Sequence, residues 1–182
     1  MRTQNDEVSP QRSRSEADTI WATALRATAA VARQAASSEE DVLRAVANEF
    51  QRLDLRSGIS LLQSDGTLEV RAQSISATVT RVLERTAGIK ILGYRFKPDS
   101  VDVYKRAINS GEPAFTSDRA ITIAQMMPKA LQALTSLFTR LIGEENVIVA
   151  PLKQDAKTIG ALNVAASWLT PEDCQMVAAL AD

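Results

Sequence analysis

The chain has 182 residues, 45% of them apolar and 24% charged, with a formal net charge of -1. That suffices for one domain with a real core plus some additional helix, and the mixed charges, with no basic run, speak against a nucleic-acid-binding surface. There is no histidine and one cysteine, Cys174, which removes Ser-His and Cys-His nucleophile pairs, histidine-ligated haem or zinc, thiolate zinc clusters and an internal disulfide framework.

Residues 1–17, "MRTQNDEVSPQRSRSEA", are polar and lack an apolar period, so a disordered lead-in is expected there. From Asp18 to Ala36 the pattern turns helical: Ile20, Trp21, Ala24, Leu25, Thr28, Val31, Ala32 and Ala35 recur at spacings of three and four. Ser38 with Asp41 reads as a capping box for a second helix with Val42, Leu43, Val46, Ala47 and Phe50 on its core face. "GISLLQ" (58–63) and "TLEVRAQS" (67–74) then flank Asp65-Gly66, a strong hairpin turn signal. Residues 76–87 read as a helix that turns Val79, Val82 and Leu83 inward.

"ILGYRF" (91–96) reads as an extended segment with Leu92, Tyr94 and Phe96 on one side. Pro98-Asp99 starts a helix with Val101, Tyr104, Ala107 and Ile108 on its apolar face, and Ser110-Gly111 ends it. "EPAFTSD" is a short strand leaving into a loop, and residues 119–142 form two helical pieces divided at Pro128. "NVIVAPL" (146–152) is nearly all apolar, as a strand covered on both faces should be. "KTIGALNVAAS" (157–167) follows after a tight connection and completes a second hairpin, with Gly160 allowing a close backbone approach. A last helix opens at Thr170-Pro171, where Thr170 can cap and Pro171 suits the first turn. Hairpins and separate helical runs together predict an α+β fold with an antiparallel sheet.

These features resemble a GAF domain, the small-molecule sensory module of histidine kinases, cyclic-nucleotide phosphodiesterases and transcriptional activators. The resemblance runs from Ser38 to the end of the chain. It is carried by Pro151-Leu152, Ile159-Gly160-Ala161-Leu162, Thr170-Pro171-Glu172-Asp173 and Leu180-Ala181 in order. Gly111, Pro113 and Asp118 in "INSGEPAFTSD" and the first hairpin add to it. The resemblance implies a GAF/PAS-like six-stranded antiparallel sheet with the N- and C-terminal helices packed on one face. On the other face it implies a pocket under the mid-domain segments. It divides the chain into a lead-in (1–17), a linker or dimer helix (18–36) and the GAF domain proper (38–182). In such proteins the last helix runs on into the next domain, so a chain stopping at Asp182 reads as truncated within that helix. The function implied is a non-catalytic sensory or regulatory module of a cytoplasmic signalling protein, coupled to an output domain. The alternative is a dimerisation scaffold with a filled pocket.

On that geometry the pocket lining is expected from Tyr94, Arg95, Phe96, Tyr104, Phe115, Ile148 and Leu162, where the few aromatics of the chain concentrate. Arg95 suits a carboxylate or phosphate, but strict strand alternation would turn it to solvent. A homodimer interface is expected from Trp21, Leu25, Thr28, Val31 and Ala32 of the first helix with Met176, Val177 and Leu180 of the last. The same stripe could instead pack within its own chain. The ligand is not named by the residues. The family's cyclic-nucleotide set is not found in order, and its bilin and haem sites use a cysteine or histidine that is missing here. Zinc lacks ligands as well. Cys174 reads as a structural thiol, because Glu172 and Asp173 oppose a lowered pKa. The acidic pairs Glu39-Glu40 and Glu144-Glu145 read as solvated surface. No apolar run reaches the length of a membrane span, and there is no signal-peptide apolar region.

Overall fold

Two antiparallel hairpins form the centre of the molecule. A computed structural model describes residues 12–34, 38–143 and 145–182. Strands β1 (Arg56–Leu62) and β2 (Leu68–Gln73) make the first hairpin. Its turn is held by Asp65, whose carboxylate accepts from the Thr67 N–H at 3.0 Å and from the Thr67 hydroxyl at 2.6 Å. The short strand β3 (Arg95–Phe96) adds to the outside of β2, and β4 (Ala114–Thr116) to the far edge. Strands β5 (Asn146–Gln154) and β6 (Lys157–Ala166) form the second hairpin. The sheet is six-stranded, antiparallel throughout, in the order β3-β2-β1-β6-β5-β4. The fold is α+β, as the pattern predicts.

Alternation along β5 and β6 sorts the two faces. Ile148, Ala150, Leu162, Val164 and Ala166 join one buried cluster; Val147, Val149, Ala161 and Ala165 join another. The first cluster is covered by α1 (Arg14–Gln34), α2 (Glu39–Arg52) and α7 (Cys174–Ala181), through Trp21, Ala24, Ala47, Phe50, Val177, Leu180 and Ala181. The terminal helices therefore share one face, as expected. The opposite face carries α3 (Ala77–Ala87), α4 (Asp102–Ser110), α5 (Arg119–Met126) and α6 (Thr135–Ile142).

Local signals set most helix ends. The Ser38 hydroxyl accepts from the Asp41 N–H and donates to the Asp41 carboxylate at 2.8 Å, opening α2. Asp118 caps α5 by accepting from the Ile121 N–H at 2.8 Å. Gly111 closes α4 in the left-handed conformation that glycine adopts without strain (φ 70°). Ahead of α7, Thr170 takes the capping position expected of it, in a reciprocal capping box with Asp173. The Thr170 N–H and hydroxyl both donate to Asp173 Oδ2, at 2.9 and 3.0 Å, and a 3-10 turn, Pro171–Asp173, precedes the helix.

Several expectations are corrected. Helix α1 starts at Arg14, inside the stretch expected to be disordered; residues 1–11 and 35–37 lie outside the described residues. Of 91–96 only Arg95 and Phe96 pair as a strand, because the chain turns at Gly93 (φ 82°). Val82 faces solvent at 43% exposure, while Leu83 is buried. The largest correction concerns the helix stripe. Trp21 and Val177 are fully buried within their own domain and Leu180 is buried beside them, which takes these three out of a subunit interface. Leu25 and Met176 are half-buried against the same cluster. Thr28 and Val31 are also half-buried, and Ala32 is exposed.

Candidate functional site

A cavity of about 170 Å³ lies between the sheet and α3, α5, α6 and the segment 89–94. Its floor is sheet: Gly58, Ser60, Val70, Val147 and Asn163. Gly58 is the cross-strand neighbour of Asn163 in β6, and a Cβ there would collide with Asn163 Oδ1. The missing side chain thus makes room for the Asn163 amide on the floor. The roof is apolar, supplied by Leu83, Ile89, Ile91, Ile123, Met127 and Phe138.

Two tyrosines stand at the wall. The Tyr104 hydroxyl donates to Asn163 Oδ1 at 3.1 Å, and its ring packs edge-on against Phe96 with centroids 5.0 Å apart. Burial drives the Tyr104 phenol pKa far above its ordinary value, against a smaller opposing pull from Arg119, so this hydroxyl stays protonated. The Tyr94 hydroxyl donates to the Met126 carbonyl at 2.6 Å and ties the 89–94 segment to the end of α5.

The charged end of the cavity is formed by Arg56 from β1 and Arg119 from the first turn of α5. Glu145 lies beside both, ion-paired with Arg119 and 3.5 Å from Arg56 Nε. Its side chain is 15% exposed and that of Arg119 is 10% exposed. Burial raises the Glu145 pKa, with Arg119 and then Arg56 pulling it back, and burial lowers that of Arg119. Glu145 is therefore a largely buried ion-pair partner, which corrects the expectation of solvated surface; Glu144 lies outside the described residues.

No family model matches the chain, and no curated protein matches its sequence. Solved structures do match. The A. aeolicus nlh2 GAF domain, in an inactive state, superposes with a TM-score of 0.61 over 91% of this chain and 93% of its own, at 15% identity. The chain has the GAF fold. A phycocyanobilin-bound GAF domain from a cyanobacterial phytochrome matches at a TM-score of 0.57, with 18% identity over 88% of this chain and 91% of that one. The GAF domain of a phosphoenolpyruvate-protein phosphotransferase from Coxiella burnetii matches at 0.58, with 14% identity over 88% and 89%.

Within this GAF fold, the structure brings only Tyr94 and Tyr104 of the expected residues to the cavity wall. Phe96 sits behind Tyr104 in the same cluster. Arg95 is exposed, its Nη2 2.6 Å from Glu69 Oε2, and so braces β3 against β2. Phe115, Ile148 and Leu162 lie on the opposite face, with the terminal helices. Their neighbours Val147 and Asn163 line the cavity instead. The error is one of parity: a shift of one residue moves a strand side chain to the other face. Sequence reasoning also missed Arg56, Arg119 and Asn163. Asn163 carried a signal, as a lone amide in the apolar run "IGALNVAA".

Cys174 belongs to α7 and packs against the helix-side cluster, away from the cavity. Burial and then the Asp173 charge raise its thiol pKa, against Arg106. Ellman's reagent at pH 8 is expected to react with it roughly tenfold more slowly than with free cysteine, since the thiolate is the reactive form. A rate matching free cysteine would contradict that environment.

Proposed function

We propose that this chain is a non-catalytic sensory or regulatory module of a cytoplasmic signal-transduction protein. In this reading residues 38–182 are the GAF domain and residues 18–36 the linker helix. The module binds a small molecule in the cavity and signals through its terminal helices to an output domain. The observation that carries the reading is a largely apolar cavity set across the sheet from those helices. The two sides are one side-chain step apart. Asn163 lines the cavity, and its neighbours Leu162 and Val164 share a buried cluster with Trp21 and Val177. A ligand with different affinity for two arrangements of β6 would shift the helices packed on its other face. Signalling contexts among the structural neighbours agree, including a methyl-accepting chemotaxis protein that matches at a TM-score of 0.56.

The homodimer belongs to this proposal in revised form. Thr28, Val31 and Ala32, towards the end of α1, are its candidate contacts, with Leu25 and Met176 at the margin. Among the described residues no helix is long and apolar enough to cross a membrane. The cavity lining holds no cysteine, so a thioether-linked bilin does not fit it.

Native mass spectrometry of freshly purified protein tests the reading, followed by denaturing spectra of whatever is released. A bound small molecule lost on denaturation is the expected result. A cavity that takes up no compound, natively or from a metabolite-like library, would favour the scaffold with a filled pocket.

A further inference from the structure

We propose that the ligand is a small monocarboxylate with a compact apolar body, its head held by Arg56 and Arg119. The inference rests on the reading of the cavity as a ligand site. Both charged residues lining the cavity are arginines; among the described residues no aspartate, glutamate or lysine joins them. The nearest carboxylate, Glu145, stands beside the two guanidiniums but outside the lining. It is shared between them, and it engages Arg119 more closely than Arg56. Arg56 Nη1 is buried and has no hydrogen-bond partner among the described residues. Two guanidinium forks offer about ten N–H donors to one carboxylate, so the end of the cavity is rich in donors and short of acceptors.

Two amphoteric groups on the wall have their acceptor or donor already used, and the hydroxyls of Ser57, Ser60 and Thr122 and the Gln73 amide also line the cavity. The Tyr94 hydroxyl is used on Met126, and Asn163 Oδ1 is used by Tyr104, which leaves the Asn163 amide N–H groups as further donors. An acceptor-only group with two oxygens in a plane is the natural complement of such an end, because a guanidinium binds it through two parallel hydrogen bonds. The rest of the wall is isoleucine, methionine, leucine and phenylalanine, which suits a hydrocarbon body. The size limits that body. A cavity of about 170 Å³ compares with the ~150 Å³ that accommodates benzene, so one ring or one branched chain fits.

The full chain would be tested by calorimetry with phenylacetate and 4-methylvalerate against their neutral partners, phenylacetamide and 4-methylpentan-1-ol. The acids are expected to bind at least about tenfold more tightly than the neutral isosteres, the scale of a hydrogen bond to a charged group. Arg56→Gln should remove most of that preference, and Arg56→Lys should restore part of it. Glu145→Gln, which removes the competing carboxylate, should strengthen acid binding. Equal affinity for acids and isosteres would overturn the anionic head while leaving the cavity a ligand site. If neither class binds and native spectra show nothing retained, the ligand-site reading fails and this inference with it.

Discussion

Trp21→Ala is expected to lower the unfolding free energy by about 4 kcal/mol, the usual scale for a fully buried tryptophan. Trp21 is completely buried, and its ring meets Trp168 edge-on with centroids 5.5 Å apart. Its indole N–H donates to Asp173 Oδ1 at 2.9 Å. Asp173 is itself 1% exposed and also accepts from Arg14 at 3.0 Å and from Thr170. One carboxylate therefore joins the start of α1 to the start of α7. Trp21→Phe keeps much of the apolar surface but leaves Asp173 one donor short, and should cost about 1–3 kcal/mol. Urea unfolding followed by circular dichroism at two protein concentrations a hundredfold apart measures both. The loss should be the same at each concentration, because the contact lies within one chain. A loss that grows on dilution would return Trp21 to a subunit interface.

Gly160→Val is expected to cost about 3 kcal/mol or more, at the upper end for forced overpacking. Gly160 lies in β6 opposite Leu61 of β1 and Leu152 of β5. A Cβ there would run into the Ser60 carbonyl oxygen and come within 3.2 Å of Leu61 Cα. These are backbone atoms at the seam where the two hairpins meet, so the obstacle cannot be relieved by a rotamer change. The variant should show a lowered midpoint and faster amide exchange in β1 and β6 than in α4. Protection that falls evenly across all the helices, with β1 and β6 unaffected beyond it, would mean that the seam is not where the strain is felt.

Much of the fold is written in short stretches. Ser38, Asp65-Gly66, Pro98, Gly111, Pro128 and the alternation in "TLEVRAQS" each act through neighbours a few residues away, and the elements appear where those residues put them. The family resemblance added the number of strands and the placement of the terminal helices, while the strand order came only with the tertiary structure. Two kinds of fact needed the third dimension. The first is parity. In strands such as "VIVAP", apolar on both faces, nothing local says which residue faces the cavity, so Ile148 and Leu162 were assigned where Val147 and Asn163 belong. The second is convergence. Arg56, Arg119 and Glu145 come from separate parts of the chain and look like ordinary surface charges in the sequence; only the tertiary fold brings them together at the cavity's end, with Arg119 and Glu145 largely buried and Arg56 partly exposed. For Trp21 the sequence determined that a helix presents a large apolar side chain. The tertiary structure decided that its own sheet covers it, because α7 begins with a buried carboxylate within reach of the indole.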